Sequence, residues 1–346
     1  MKTGESDMED QRIKIGFIGC GNHGSYLQSL IRNIQELDLT AVCDIDQSKA
    51  QRNAKCFGAQ RWYTDYRVFL REAPVDAVAV IGDVHLHTQA GVAAARAGKH
   101  LFVEKPLAAD TQKGSDLLEA VQKSGKIAMS GYMWRYSTPI ARMQAIAGSE
   151  EFGDPVSMHV RFLTPQPRFP IWGLESTVNT SVVADGGHPI DIMSLMLGRV
   201  TSVMARLSPA AHQGVYSIQV LFGFSGGGTG TLLTGTSTSG VDLDFFLASS
   251  NGYTIRIENN MNQLVYIRND EVDYQNVPII EGWQPAPLTV TDADHTGWTR
   301  ELRTFAQCIC KDVQPGNSVE DGYYVLTVME SILKSIERRE EITIPS

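Results

Sequence analysis

Residues 13–44 constrain this chain more than any other stretch. The apolar run Ile13–Ile18 reads as a buried strand, and Gly19-Cys20-Gly21-Asn22-His23-Gly24 follows it as Gly-x-Gly-x-x-Gly. A second apolar strand ends at Asp44, 44 − 24 = 20 residues beyond the last glycine. A dinucleotide fold presents a carboxylate to the ribose hydroxyls at that interval. Each glycine has a physical task. Gly19 permits the tight turn, Gly21 lets backbone N–H groups approach a pyrophosphate, and Gly24 lets the helix pack close to the sheet. A helix starting near Asn22 offers its unpaired N–H groups and positive dipole end to the phosphates. Asp44 accepts hydrogen bonds from the ribose and repels a 2′-phosphate, so NAD is expected ahead of NADP. Arg52 lies on the following helix, farther from the ribose than the carboxylate.

Up to about residue 131, apolar strands alternate with amphipathic helices. Strands are predicted at 13–18, 39–43, 76–81, 99–103 and 127–130, and helices near 23–36, 46–57, 65–72, 85–97 and 110–124. This alternation implies α/β architecture with a doubly wound, parallel Rossmann sheet. Beyond Arg135 the pattern changes. A helix near 137–148 and an extended stretch at 156–163 lead into 164–184, which is rich in Pro, Ser and Thr and reads as a loop. A helix at 188–197 follows, then short strands separated by turns over 199–276, and two helices near 295–312 and 318–337. The second half is therefore an α+β domain with a large, mostly antiparallel open sheet. The boundaries predicted are a disordered tail at 1–11, a nucleotide domain at 12–133 and a substrate and oligomerisation domain at 134–346.

With 346 residues the chain can bury two cores. A net charge of −9 and no basic cluster argue against nucleic acid as a partner. No apolar run reaches membrane-spanning length, and Met1–Gln11 lacks a signal-peptide core. Five scattered cysteines fit a reducing cytoplasm. Cys308 and Cys310 point to different faces of a predicted helix, so they make no metal pair. His85 and His87 have no carboxylate cluster at ligand spacing, and no metal site is expected.

The strand at 99–103 ends in Glu104-Lys105-Pro106. Strand ends line the ligand crevice of a doubly wound sheet, so Glu104 and Lys105 are expected at the nicotinamide end of the cofactor. Pro106 restricts the backbone of Lys105 to extended conformations. Lys105 could there exchange a proton with a substrate hydroxyl; a strand-end lysine alone is more often a solvated charge.

With these residues in view the chain resembles the glucose–fructose oxidoreductase, inositol dehydrogenase and rhizopine catabolism family of NAD(P)-dependent oxidoreductases. The resemblance spans nearly the whole chain. It rests on Gly19–Gly24, Glu104-Lys105-Pro106, Arg135 with Pro139, Gly186-Gly187-His188-Pro189-Ile190-Asp191, Leu195-Met196-Leu197-Gly198, and Trp298, Glu301-Leu302 and Phe305. It implies that Lys105 touches both nicotinamide ribose and substrate hydroxyl, with His188 as its general acid/base partner. Asp191, one helical turn on, would orient the imidazole or bind a second hydroxyl; a dipole-favoured first-turn acid is the alternative. A homodimer or homotetramer is implied as well. The candidate cofactor contacts are Gly19, Gly21, Asn22, His23, Gly24, Asp44, Ile45, Ile81, Gly82, Asp83, His87, Glu104 and Lys105.

The departures from that family are informative. Its members commonly carry an aspartate four residues before the histidine, where this chain has Ala184 and then Asp185. Either a local shift re-aims Asp185 or one member of the catalytic set is absent. Gly82-Asp83-Val84 replaces the usual Thr-Pro-Asn, while His87 remains, for helix capping or cofactor contact. The candidate catalytic residues are Lys105, His188, Asp185 and Asp191. Substrate contacts are expected from Lys105, Arg135, Trp172, Asp185 and His188. Trp172 could stack on a sugar ring. Arg135 either binds an anionic ligand group or ties the two domains together. The reaction implied is hydride transfer between NAD and a carbinol of a sugar, inositol or related polyol. The alternatives are transient use of bound NAD in a sugar elimination, and a non-catalytic NAD- or sugar-binding protein.

Overall fold

The computed structural model describes residues 12–165, 169–209, 214–268, 279–284 and 293–345; the tail expected at 1–11 lies outside them. The chain begins with β1 (Ile13–Ile18), α1 (Asn22–Leu30), β2 (Leu37–Cys43), α2 (Gln47–Phe57), β3 (Arg61–Tyr63) and α3 (Tyr66–Glu72). It continues through β4 (Ala77–Val80), α4 (Val84–Arg96), β5 (His100–Glu104), α5 (Thr111–Ser124) and β6 (Ala128–Gly131). A 3-10 turn at Met133–Tyr136 precedes α6 (Thr138–Ala147) and β7 (Pro155–Leu163). A single helical turn, α7 (Thr177–Asn179), runs into a π turn at Thr180–Asp185 and then α8 (Gly187–Leu197). Six strands follow: β8 (Val200–Pro209), β9 (Tyr216–Phe224), β10 (Thr229–Gly235), β11 (Asp242–Ser249), β12 (Thr254–Glu258) and β13 (Gln263–Arg268). The chain closes with β14 (Ile279–Trp283), α9 (Ala293–Thr296), α10 (Trp298–Lys311), α11 (Val319–Arg338) and β15 (Ile342–Thr343).

These elements form two compact units that exchange segments along the sequence. The first holds residues up to Glu104 together with Asp116–Gly131 and Thr299–Val319; the second holds Lys105–Ser115, Tyr132–Trp298 and the residues from Glu320 onwards. In the first unit six strands run in the order β3-β2-β1-β4-β5-β6. All five pairings are parallel. This is the doubly wound topology expected, with its switch point between β1 and β4. The interior strands are apolar on both faces because helices cover both faces; Ile15, Phe17, Val78, Leu101 and Phe102 are fully buried. From α10, Phe305 reaches this core and meets the Phe102 ring edge-on at 5.9 Å. β3 was not predicted. It is a three-residue edge strand whose side chains are largely exposed, so it carries no apolar pattern.

In the second unit nine strands run β14-β13-β12-β11-β7-β10-β9-β8-β15. Only β7 and β10 pair in parallel, so the sheet is mostly antiparallel as expected. Strict alternation along β9 and β11 gives it one buried and one open face. The loop expected at 164–184 is helical from Thr177 onwards. Ser176 accepts the Asn179 N–H and so starts that helical stretch, a local cap without an apolar period. Among the described residues no helix is long and apolar enough to cross a membrane.

Truncating Phe305 to alanine should cost the protein about 3–5 kcal/mol, the usual range for a fully buried aromatic. Urea denaturation measures it, and a loss below about 1 kcal/mol would contradict the packing of α10 in the first core.

Candidate functional site

In the first unit the glycine turn behaves as its sequence demands. Gly19 has φ +114°, and a Cβ there would lie 1.8 Å from the Ile81 carbonyl oxygen. A Cβ on Gly24 would lie 2.2 Å from the Gly19 oxygen, so α1 can sit this close only with glycine. Gly21 differs: nothing lies within 4 Å of its Cβ position, and its backbone forms the N-cap of α1. Asp44 follows β2 with both carboxylate oxygens anchored. Oδ2 accepts the Cys20 N–H at 2.7 Å and Oδ1 the Asp46 N–H at 2.9 Å. Beside it, Ile45 is 93% exposed, an apolar surface of the size an adenine ring covers.

Other residues of this unit sit as follows. His23, in the first turn of α1, bonds through Nε2 to the buried Glu104 carboxylate at 2.9 Å. Asp83 caps α4 by accepting the Leu86 N–H at 2.8 Å. His87 is buried, and its Nε2 accepts the Gly82 N–H at 3.0 Å, which leaves the ring proton on Nδ1. It therefore supports the loop at Ile81–Asp83 from beneath.

The second unit takes up the chain at Lys105, joined to Pro106 by a cis peptide bond. The Lys105 ammonium donates to the Ala184 carbonyl at 3.0 Å and lies 5.0 Å from the centre of the Trp172 ring. Trp172 is partly exposed at φ +55°, a left-handed conformation uncommon for a bulky residue. Asp185 accepts the Thr164 hydroxyl at 3.2 Å. Burial pushes its carboxyl above the ordinary aspartate value, with the Lys105 charge and the Thr164 bond opposing the rise.

His188 occupies the first turn of α8, buried, one turn after Ala184. Trp134 stacks on it at 4.6 Å and 20°, and Tyr132 meets it edge-on at 5.7 Å. Three residues further, the fully buried Asp191 takes two hydrogen bonds from Arg135, Nε to Oδ2 at 2.7 Å and a terminal nitrogen to Oδ1 at 2.6 Å. Burial raises the Asp191 carboxyl against the pull of Arg135; it would likewise lower the guanidinium, but Asp191 outweighs it and holds Arg135 above its ordinary value. Arg135 thus ties the turn after Tyr132 to α8 inside the second unit.

Ala184 and Asp185 lie in the π turn, where the Gly186 N–H reaches back five residues to the Ser181 carbonyl at 2.9 Å. A π turn holds one residue more than an α turn and often marks a functional site. Thr164, Tyr132 and the Ala184 carbonyl were absent from the sequence expectation, since backbone acceptors and distant hydroxyls leave no periodic trace.

Fingerprint, strand order and anchored carboxylate define a dinucleotide-binding unit. Residues 13–132 match the model described as an oxidoreductase family with an NAD-binding Rossmann fold, which makes the protein an NAD-binding oxidoreductase. Residues 140–255 match the GFO/IDH/MocA C-terminal domain, and the chain belongs to the GFO/IDH/MocA family. It is similar to an inositol 2-dehydrogenase/D-chiro-inositol 3-dehydrogenase of Lactiplantibacillus plantarum, 25% identical over 96% of this chain and 94% of that protein. A Salmonella typhimurium inositol 2-dehydrogenase is 24% identical over 96% of this chain and 98% of its own length. In fold it resembles a dehydrogenase from Chromobacterium violaceum, with TM-score 0.88, 24% identity and coverage of 95% and 96% of the two chains. It also resembles levoglucosan dehydrogenase in complex with NADH and L-sorbose, with TM-score 0.86, 18% identity and coverage of 97% and 100%.

The raised Asp185 carboxyl fixes a sign. The folded state holds this proton more tightly than the unfolded chain, so ionisation costs stability as pH rises above the ordinary value of 3.8. Asp185→Asn should therefore raise the thermal midpoint at neutral pH, with the gain shrinking as pH falls towards 3.8. An unchanged or lower midpoint at neutral pH would contradict this.

Proposed function

We propose that this chain transfers a hydride between NAD and a carbinol or keto carbon of a sugar, an inositol or a related polyol, with Lys105 and His188 as the proton-transfer pair. One observation carries the reading. At the start of α8 the Lys105 ammonium bonds the Ala184 carbonyl, its charge acts on the buried Asp185 carboxyl, and His188 follows one turn later.

The residues of the first unit suit NAD. The open Gly21 position admits a phosphate close to the backbone, and the helix N-terminus at Asn22, His23 and Gly24 favours negative charge. Asp44, with one lone pair of each oxygen still available, receives the ribose. Its charge supports NAD over NADP, and Arg52 is engaged with Asn53 and the Cys20 carbonyl. Ile45, Ile81, Gly82 and Glu104 complete the proposed contacts. When bound, NAD supplies the hydride acceptor at its nicotinamide.

Lys105 lies against the substrate oxygen, and His188, or Lys105 Nζ as the neutral amine, takes the hydroxyl proton as the carbon is oxidised. Asp185 holds the ammonium in place and stands in for the aspartate missing at Ala184, the π turn absorbing the one-residue shift. Trp134 and Tyr132 fix the plane of the imidazole. Trp172 covers the lysine and offers a ring for the apolar face of a sugar. Arg135 and Asp191 satisfy each other, so an anionic substrate would have to displace a two-point carboxylate pair; this supports a neutral polyol. The relatives named for inositol and levoglucosan support the same class.

A panel of inositols, monosaccharides and anhydrosugars, run with NAD and NADP in parallel, should give NADH with at least one compound. Lys105→Met should lower kcat by about 10²–10⁴-fold, the usual contribution of a proton-transfer group, while NADH binding persists. Full turnover in that variant would remove the mechanism. Conversion without net NADH would favour transient use of bound NAD, and NADH binding with no conversion a non-catalytic role.

We also propose a homodimer or homotetramer in a reducing cytoplasm. Support comes from the open face of the second sheet, where Met204 and Leu221 are 39% and 51% exposed, and from five unpaired cysteines. Analytical ultracentrifugation showing a monomer at assay concentration would overturn the assembly.

A further inference from the structure

We propose that Gln28 and Asn53, with Ser25 and Arg52, form a positioning cluster that aims the backbone of the glycine turn at the pyrophosphate of the cofactor. The proposal rests on the reading that this turn holds NAD. Both amides are almost completely buried, Gln28 at 2% and Asn53 at 1% exposure. They interrupt inward faces that are otherwise small or apolar, Gly24 and Leu27 on α1 and Ala50 and Ala54 on α2. A buried amide is costly unless its polar atoms are bonded, and here the bonds run to the fingerprint.

Gln28 Nε2 donates to the Gly19 carbonyl at 3.1 Å, and its Oε1 accepts from Asn53 Nδ2 at 2.9 Å. Asn53 Nδ2 also donates to the Ser25 hydroxyl oxygen at 2.9 Å. Asn53 Oδ1 accepts from Arg52 Nε at 3.1 Å and from a terminal Arg52 nitrogen at 3.0 Å. Ser25 and Arg52 close the set, donating to the Cys20 carbonyl at 3.2 Å and 3.1 Å. Two successive carbonyls of the turn are therefore gripped from the side of α1 and α2.

A trans peptide points its N–H opposite to its C=O. With the Cys20 carbonyl drawn towards Ser25 and Arg52, the Gly21 N–H is turned away from them, on the glycine whose Cβ position is open. The peptide before it works in the same way. Its carbonyl, on Gly19, is held by Gln28, and its N–H, on Cys20, is delivered to Asp44 Oδ2 at 2.7 Å. One buried network thus sets the direction of a phosphate-facing donor and of the ribose-facing carboxylate together. Glycines make the turn possible but do not choose its orientation, because glycine accepts many. The amides choose it.

Gln28→Met combined with Asn53→Leu keeps the volumes and removes the bonds, so folding should survive. Isothermal titration of the full chain is expected to show NADH and ADP-ribose weakened about tenfold and adenosine weakened less, because it meets the Asp44 carboxylate but lacks the pyrophosphate. A folded double variant that binds NADH and ADP-ribose like the parent overturns the proposal, as does an equal loss for adenosine. Should that variant fail to fold, Ser25→Ala and Arg52→Gln alter side chains that are not core and serve instead. Each should weaken NADH several-fold, and unchanged affinity in both overturns the cluster. A parent protein that binds no NADH would instead remove the cofactor reading itself.

Discussion

The first unit depends on one close approach, that of Gly19 to the carbonyl of Ile81. β1 and β4 are neighbours at the point where the strand order reverses, and the turn leaving β1 must pass over the end of β4. With 1.8 Å available to a Cβ, no side chain fits there, whatever its chemistry. The same carbonyl–turn contact sets where α1 begins, and α1 in turn packs its Gly24 on the Gly19 oxygen. The glycine spacing and the helix N-terminus then follow from covalent geometry. A single steric limit is propagated through six residues.

The second unit depends on charge instead of contact distance. Asp191 is fully buried and Arg135 largely so, and breaking such a pair costs about 3–5 kcal/mol. That is a large fraction of the roughly 5–15 kcal/mol that holds a domain folded. Surface pairs such as Lys113–Asp110 contribute about 0–1 kcal/mol and decide nothing. The buried pair fixes the start of α8 against the turn carrying Tyr132 and Trp134, and both aromatic rings contact His188. Arg135, whose sequence context suggested ligand binding or domain tethering, also braces the imidazole through this pair.

Legibility in the sequence followed the scale of the signal. The Rossmann strands and helices were readable to within a few residues because burial on both faces writes long apolar runs, as at Val78–Val80 and Leu101–Val103. β3 escaped because three exposed residues carry no period. The helical stretch from Thr177 escaped because its capping serine and its π turn look like loop composition. Asn53 and Gln28 left a trace that went unread, a polar amide at the inward position of an otherwise apolar helix stripe. Their partners could not have been named from sequence, since the bonds join residues 25 apart and more than one helix. Lys105 was named from its place at a strand end and His188 from the resemblance; the Ala184 carbonyl that Lys105 meets is a backbone group and has no letter.

Asp185, His188 and Asp191 are spaced by three residues, Asp185 in the π turn and the other two on α8. The two carboxylates have different partners, Thr164 for Asp185 and Arg135 for Asp191. Asp191 meets a two-point guanidinium, which opposes the rise that burial imposes on its carboxyl. Asp185 meets one hydroxyl and the field of an ammonium that is itself bonded to a carbonyl, and its proton is held above the ordinary carboxylate range. A buried acid beside a lysine, without a two-point partner, is the one suited to accompany proton transfer. The carboxylate on α8 braces the site, and the one in the π turn feels the Lys105 charge. In the proposed reaction it is Asp185, and not the better-bonded Asp191, that stands beside the lysine as its charge changes.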